Sequence, residues 1–386
     1  MNQLLPKFKV FNGPAVADPT SPPAVSDAIA ELPGYDDVIQ RYPELAGASC
    51  VFLSGSLISG WGNERSDLDI FVIAEKDFIR KVIPESVVKT GRADQDIDQN
   101  GFVIAMGSLG GLRADIEFWT AEHIDGLIAT ARPRDEAYLG RLGRPTYEEQ
   151  DLLHRLSMGR ALSGQDWLDE RKRRIAASDF AVWIAENYKV AGENQLDDLV
   201  GMFASGDIKS AVLRARDTYL SALQAVLAYD GDLSPGPKWI AHRLARAEVD
   251  DLWRDEAWRI LTMGDCADEG WPMDVAHRAH GIFLTIEQRI VGHAPCGCAA
   301  GPDSVQRRLG VRTYRHEGDT IIADITKCRT GETGGYIWAL CDGKHTEREI
   351  AQCLARDLAL TAEDAAECVA SALRDLRANG LVDLSD

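Results

Sequence analysis

Hydrophobic and polar positions follow two different rhythms along this chain. From about 35 to 130, short apolar runs are cut by turns. Val51–Leu53 leads into Gly55-Ser56, and Leu68 to Ile73 is apolar and partly β-branched apart from Asp69. Leu112–Trp119 sets Ile116 and Phe118 around Asp115 and Glu117. Runs of this length bounded by turn residues predict buried strands. From 133 to 290 the spacing becomes helical, as in Asp179–Tyr188 and Ile208–Ala228, where Leu213, Leu220, Leu223 and Leu227 are expected on one face. Leu152–Leu162 predicts a helix ending near Gly159 or Gly164.

The ends of the chain differ from both regimes. Residues 1–30 are rich in Pro, Ala and Ser and predict a loose arm. Residues 292–310 are rich in Gly, Ala and Pro without apolar periodicity and predict a linker. Beyond them, Arg312 to Thr330 reads as two or three short strands, followed by a helix stopped at Asp342-Gly343. Thr346 with Glu349 forms a capping-box signature for the next helix. Thr361 with Asp364 starts another, which runs through Val369, Leu373 and Leu376 to Asn379-Gly380. The expected division is an arm (1–30), an α/β domain (31–132), a helical domain (133–291), a linker (292–310) and a C-terminal module (311–386).

Composition narrows the classes of function. Apolar residues make up 45% of the 386 residues, enough for several cores, and the net charge is −19. Such acidity argues against generic binding to nucleic acid or to an anionic membrane. No run of eighteen apolar residues occurs, so no membrane-spanning helix is expected. The N-terminus lacks a charged-then-apolar signal segment, and a cytoplasmic location is expected. The eight cysteines are then expected as thiols. Cys296-Gly-Cys298, near His293, is C-x-C with no second pair or histidine cluster at zinc spacing, and reads as part of the linker.

The candidate chemistry lies in 53–72. Side chains two apart on a strand share a face, so Asp67 and Asp69 project together. Adjacent carboxylates repel unless a cation lies between them. Magnesium suits the position, because it takes hard oxygen ligands and shares them with substrate phosphates. A third acid is expected from Leu112–Trp119. Glu117, flanked by Ile116 and Phe118, is preferred, with Asp115 left open.

Gly-Ser, a spacer, a strand bearing Asp-x-Asp and a later strand with a third acid resemble the DNA polymerase β-like nucleotidyltransferases over residues 45–125. The resemblance implies that Gly55 and Ser56 hold a nucleotide triphosphate, with glycine admitting close backbone approach. It implies two Mg²⁺ ions held by Asp67, Asp69 and Glu117, catalysis by these acids or Asp115, and phosphate contacts from Arg65 and Ser66. A helical domain after such a core is the arrangement of antibiotic nucleotidyltransferases. There, a lysine in the region of Ser234–Ile240 reaches the phosphates, which implies that role for Lys238. A lysine opening a helix runs against the dipole preference unless an anion lies nearby. His154 is expected as a structural helix-face histidine.

In the C-terminal module, Ile337-Trp338, Leu340, Asp342-Gly343, Thr346, Glu349-Ile350, Leu373, Leu376 and Gly380-Leu381-Val382 resemble the PqqD-like winged helix-turn-helix family. That family includes the recognition elements of ribosomally made, post-translationally modified peptides (RiPPs). The resemblance implies a leader peptide adding as a strand beside Ile325, Thr326, Lys327, Cys328 and Arg329 and packing on Val369 and Leu373 of the last helix. A DNA-binding role is disfavoured, because that helix starts with Glu363, Asp364 and Glu367 before Arg374 and Arg377. The expected function is transfer of a nucleotide monophosphate, AMP from ATP foremost, to a RiPP precursor peptide. A small-molecule nucleotidyltransferase of the aminoglycoside type and a non-catalytic peptide-binding regulator are the alternatives.

Overall fold

The computed structural model describes residues 32–63, 65–83, 101–134, 138, 140–141, 143, 145–247, 251–293, 301–323 and 327–384. The expected N-terminal arm, residues 294–300 of the expected linker, Ile325 and Thr326 lie outside these residues.

The first sheet has five strands in the order β3-β4-β2-β1-β5. They are β1 (Cys50–Ser54), β2 (Leu68–Ala74), β3 (Phe102–Leu109), β4 (Leu112–Thr120) and β5 (Arg160–Ser163). β2 and β4 run parallel, and the other neighbours are antiparallel. Both faces are covered, which is why β1 and β2 are nearly continuous apolar runs. Leu53, Ile70, Val72, Ile116 and Phe118 pack toward the helix Tyr35–Arg41 side with Val38. Phe52, Phe71, Ile73 and Trp119 join the large core under the helical domain. Asp69 and Glu117 have the parity of the second set, so the acids face the helical domain.

That domain contains the helices Tyr147–Met158, Gln165–Ala176, Phe180–Ala204, Ile208–Tyr229, Ile240–Arg246, Asp251–Leu261 and Trp271–Ile290. β5, which interrupts them, returns to pair with β1. The helix expected to end near Gly159 or Gly164 stops at Met158 with Gly159 as its C-cap, and Arg160–Ser163 forms a strand that was not expected. Its local pattern is too short to declare a strand; the open edge of β1 supplies the partner. The Ile208–Tyr229 helix departs from the expected face at one position. Leu223 and Leu227 are buried, but Leu213 is 53% exposed. Residues seven apart drift about 20° per heptad on a straight helix, and Ala211, Ala215 and Ala222 take the contact.

Among the described residues the C-terminal module holds two three-stranded sheets and three helices. One sheet is β7 (Arg312–His316), β8 (Asp319–Ala323) and β9 (Lys327–Thr330) in that order. The other is β10 (Asp342–Thr346), β6 (Ser304–Arg307) and β11 (Val382–Leu384). β6 thus lies inside the span expected to be a linker. Its partners β10 and β11 are distant in sequence, so local composition did not reveal it. The helices are Glu332–Ala339, Glu347–Asp357 and Ala362–Ala378. The Thr346–Glu349 capping box forms in both directions, and Thr361 Oγ1 accepts from the Asp364 N–H. Trp338, Leu354, Val369, Leu373 and Leu381 fill the module's core.

The module is bolted to the helical domain. Lys189 Nζ donates to Thr313 O at 2.7 Å and pairs with Glu193 at 3.0 Å. Thr313 N donates to Glu193 Oε2 at 2.7 Å, and Arg307 Nη1 to Glu287 Oε2 at 2.7 Å. All of these side chains are buried, so the charges are matched within the interface. No described helix is long and apolar enough to cross a membrane.

Candidate active site

The parallel β2–β4 pair sets the depth of each acid. Asp69 faces Asp115 in register, and one rung further in Phe71 faces Glu117. The outer rung opens into a cavity of about 520 Å³, whose lining includes Asp67, Asp69 and Asp115. Gly55, Ser56, Arg65, Ser66 and Lys238 line the same cavity. Glu117 does not. It accepts a hydrogen bond from Trp119 Nε1 at 3.1 Å, deep beside the core. Glu117, preferred from the sequence as third acid and metal ligand, therefore lies off the cavity, and Asp115, the acid left open, is the one that lines it. Both acids share strand parity; only the register decides which reaches open space.

Gly55 is required by close packing. Its φ is +82°, and a Cβ there would lie 1.7 Å from Asp69 Oδ2 and 2.5 Å from Arg155 Nη1. The loop after Ser56 folds back, with Trp61 N and Gly62 N both donating to Ser56 O. Asn63 and Ser66 close the turn before Asp67, Asn63 N donating to Ser66 Oγ at 2.9 Å. Lys238 and Trp239 stand just before the helix Ile240–Arg246, with Lys238 Nζ 5.1 Å from the Trp239 ring centre.

Two arginines shape the electrostatics. Arg155 Nη1 donates to Asp69 Oδ2 at 3.2 Å, and its Nε to Asp151 Oδ2 at 3.1 Å. Arg113 Nη2 makes a short bond to Asp67 Oδ2. Among the described residues no hydrogen bond engages Oδ1 of Asp67 or Asp69, and Asp115 Oδ1 is buried without a partner. Burial raises the Asp69 carboxyl to about 6, with Arg155 opposing and Asp115 adding to the rise. Burial and then Asp67 raise Asp115, and burial raises Glu117 to about 7. Burial works against the Arg155 charge, but Asp69, Asp151 and Glu117 outweigh it and raise its pKa. His154 is buried on the cavity wall, and burial lowers it to about 4, so it is neutral at pH 7.

Three carboxylates with an orphaned oxygen on one cavity fit a hard divalent cation such as Mg²⁺. Asp67, Asp69 and Asp115 would hold it. The sequence pattern missed Arg155, whose partner Asp69 is 86 positions away. It also missed Trp61, which lines the cavity with its ring centre 6.2 Å from that of Trp239. An indole in a polar, glycine-bearing loop was the available signal.

In the C-terminal module β9 is the edge strand of its sheet, so Lys327, Cys328 and Arg329 lie on an edge. Val369 and Leu373 do not present a surface. Both are fully buried in the core, which corrects their expected peptide contact.

Comparison with known proteins matches the two ends of this description differently. The family model of coenzyme PQQ synthesis protein D (PqqD) matches residues 320–382. Among solved structures, a nucleotidyltransferase-like protein from Exiguobacterium sibiricum 255-15 matches with a TM-score of 0.36 and 11% identity. The match covers 67% of this chain and 75% of that chain. No curated protein matches significantly.

Proposed function

We propose that this chain is a metal-dependent nucleotidyltransferase of RiPP biosynthesis. It transfers a nucleotide monophosphate, AMP from ATP foremost, to a precursor peptide whose leader binds the C-terminal module. The observation that carries the reading is the convergence of Asp67, Asp69 and Asp115 on one cavity beside Gly55-Ser56, with Asp115 Oδ1 buried and unpartnered. Bound magnesium supplies charge neutralisation for the triphosphate.

The chain's own residues do the rest. Gly55 admits the backbone to the phosphates, and Ser56 offers a hydroxyl donor. Arg65 and Lys238 add positive charge on the wall. Trp61 and Trp239 offer indole faces for the base or the acceptor. An acceptor oxygen or nitrogen attacks the α-phosphorus, the bond to the bridging oxygen breaks, and pyrophosphate leaves. The acceptor's proton passes to a carboxylate, and Asp115, on the wall of the same cavity, is placed to take it.

Leader binding rests on the PqqD match and on the open edge of β9. A strand added there gains main-chain hydrogen bonds. Docking the leader raises the local concentration of the core peptide at the active site. The full chain, a candidate precursor peptide, Mg²⁺ and each NTP are the test. A peptide mass gain of one NMP, lost in Asp69→Asn, is expected. Excess leader alone should inhibit the reaction in trans. Unchanged peptide mass with all four nucleotides, despite peptide binding, sinks the transferase reading and leaves a binding role.

A further inference from the structure

A second cluster of ligating side chains lies where the segment after the helix Trp271–Ile290 meets the C-terminal module, and none of its members lines this cavity. His293, His345 and Cys353 are all buried, and one ligand atom from each lies within 4.8 Å of the others. They come from three places. His293 follows the helix Trp271–Ile290, His345 lies in β10, and Cys353 is in the helix Glu347–Asp357. Cys296 and Cys298, close to His293 in sequence, lie outside the described residues.

Both rings are oriented by carboxylates. His345 Nδ1 bonds Asp342 Oδ1 at 2.8 Å. His293 Nδ1 bonds Tyr336 Oη at 2.9 Å and Asp357 Oδ2 at 3.2 Å. A carboxylate on Nδ1 places the proton there, and Nε2 then carries the lone pair. This is how proteins prepare an imidazole for a metal: the outer carboxylate sets the tautomer and raises the basicity of the ligating nitrogen. The two ring centres are 5.7 Å apart at 75°, edge to face. A histidine pair kept for hydrogen bonding alone needs no thiol brought to the same point.

We propose that His293, His345 and Cys353 bind a zinc ion. Two imidazole nitrogens and a thiolate form a borderline-soft donor set that suits zinc and does not suit magnesium, so this site is chemically separate from the carboxylate cavity. The three ligands found among the described residues leave a fourth position for a further donor. Binding converts the Cys353 thiol to thiolate and releases its proton to solvent. The ion ties the segment leaving the helical domain to β10 and to the helix Glu347–Asp357. Gln288, near the end of the helix Trp271–Ile290, donates to Asp342 Oδ2 at 2.9 Å. Asp342 therefore reaches both the zinc-bound ring and the helical domain. The binding free energy of such an ion adds to folding free energy, so zinc holds the peptide-reading module in its docked position.

The test is metal analysis of the full-length protein purified without chelator. About one zinc per chain is expected, retained in Asp69→Asn and lost in Cys353→Ser and His345→Gln. Replacement by Co²⁺ should give a thiolate-to-cobalt charge-transfer band that Cys353→Ser abolishes. Stripping the metal should lower the melting temperature by several degrees, and Zn²⁺ but not Mg²⁺ should restore it. Wild-type protein that arrives without zinc and shows no uptake or thermal shift with added Zn²⁺ overturns the proposal. So does zinc that persists at full stoichiometry in both variants, and so does selective uptake of copper in its place. Should the variants fail to fold, the wild-type uptake and thermal shift decide alone.

Discussion

Asp69 on β2 and Asp115 on β4 are direct register partners across a parallel strand pair, and both line the same cavity. Glu117, two residues further along β4, faces Phe71 and bonds Trp119 instead. The three acids should therefore separate in kinetics. Asp69→Asn and Asp115→Asn should each lower turnover on the order of 100-fold or more, the scale for losing a group that meets developing charge. Glu117→Gln should cost far less. Steady-state NMP transfer, with thermal melts to show that each variant folds, checks the ranking. Equal losses at Asp115 and Glu117 would defeat it.

Gly55 cannot accept a side chain. Gly55→Ala combines a positive φ with a Cβ 1.7 Å from Asp69 Oδ2. Strain and overpacking of this kind cost about 1–3 kcal/mol. Asp69 must also move, so magnesium-dependent activity should fall more steeply than stability. Chemical denaturation and a Mg²⁺ titration of activity separate the two effects.

The raised pKa of Asp69 has a pH signature. The folded value is about 6 against an ordinary 3.8, so between these values the folded chain holds more protons than the unfolded one. Its contribution to stability therefore falls as pH rises from about 4 to 6, and the penalty is complete above pH 6. Asp69→Asn removes the penalty. Relative to wild type in the absence of metal, the variant should gain stability as pH rises from 4 to 7. Mg²⁺ should stabilise the wild type more at pH 7 than at pH 5, because it favours the ionised carboxylate. Denaturant midpoints across this range provide the measurement, and a pH-independent difference would contradict the argument.

Lys189 lies between Glu193 and Glu287 in the seam joining the helical domain to the C-terminal module. Lys189→Met leaves the buried Glu193 short of its cation, leaves Glu287 with Arg307 alone, and removes the donor to Thr313 O. Breaking a buried pair by removing one partner costs about 3–5 kcal/mol. The midpoint of denaturation should fall accordingly. Limited proteolysis should release a C-terminal fragment earlier than in wild type. For the same reason, cutting the module off exposes the buried charges of its docking partners, so truncation is a poor probe of leader dependence.

Much of this protein is written locally in its sequence. The apolar runs of β1 and β2, the Gly55-Ser56 turn, the Asp67–Asp69 spacing and the Thr346 and Thr361 caps depend on neighbours a few residues away. Backbone periodicity and capping chemistry are short-range, so these features could be read before folding was considered. Strand parity likewise put Asp115 and Glu117 on one face.

Other features rest on pairings that no local pattern encodes. The β2–β4 register chose Asp115 over Glu117, because it set which acid reached the cavity and which lay against Phe71. The edge of β1 turned Arg160–Ser163 into a strand, and β10 and β11 recruited β6 from an apparent linker. Arg155 met Asp69, and Lys189 met Thr313, across more than eighty residues of intervening chain. Val369 and Leu373 lost their expected surface role because the module needs apolar side chains to close its core. His293, His345 and Cys353 carry no metal-binding spacing in sequence; only the packing of the module against the last long helix brings them together. The sequence by itself determined which side chains were available and the local elements that carry them. Tertiary structure decided which of them meet, because register, depth and convergence follow from burying several elements at once.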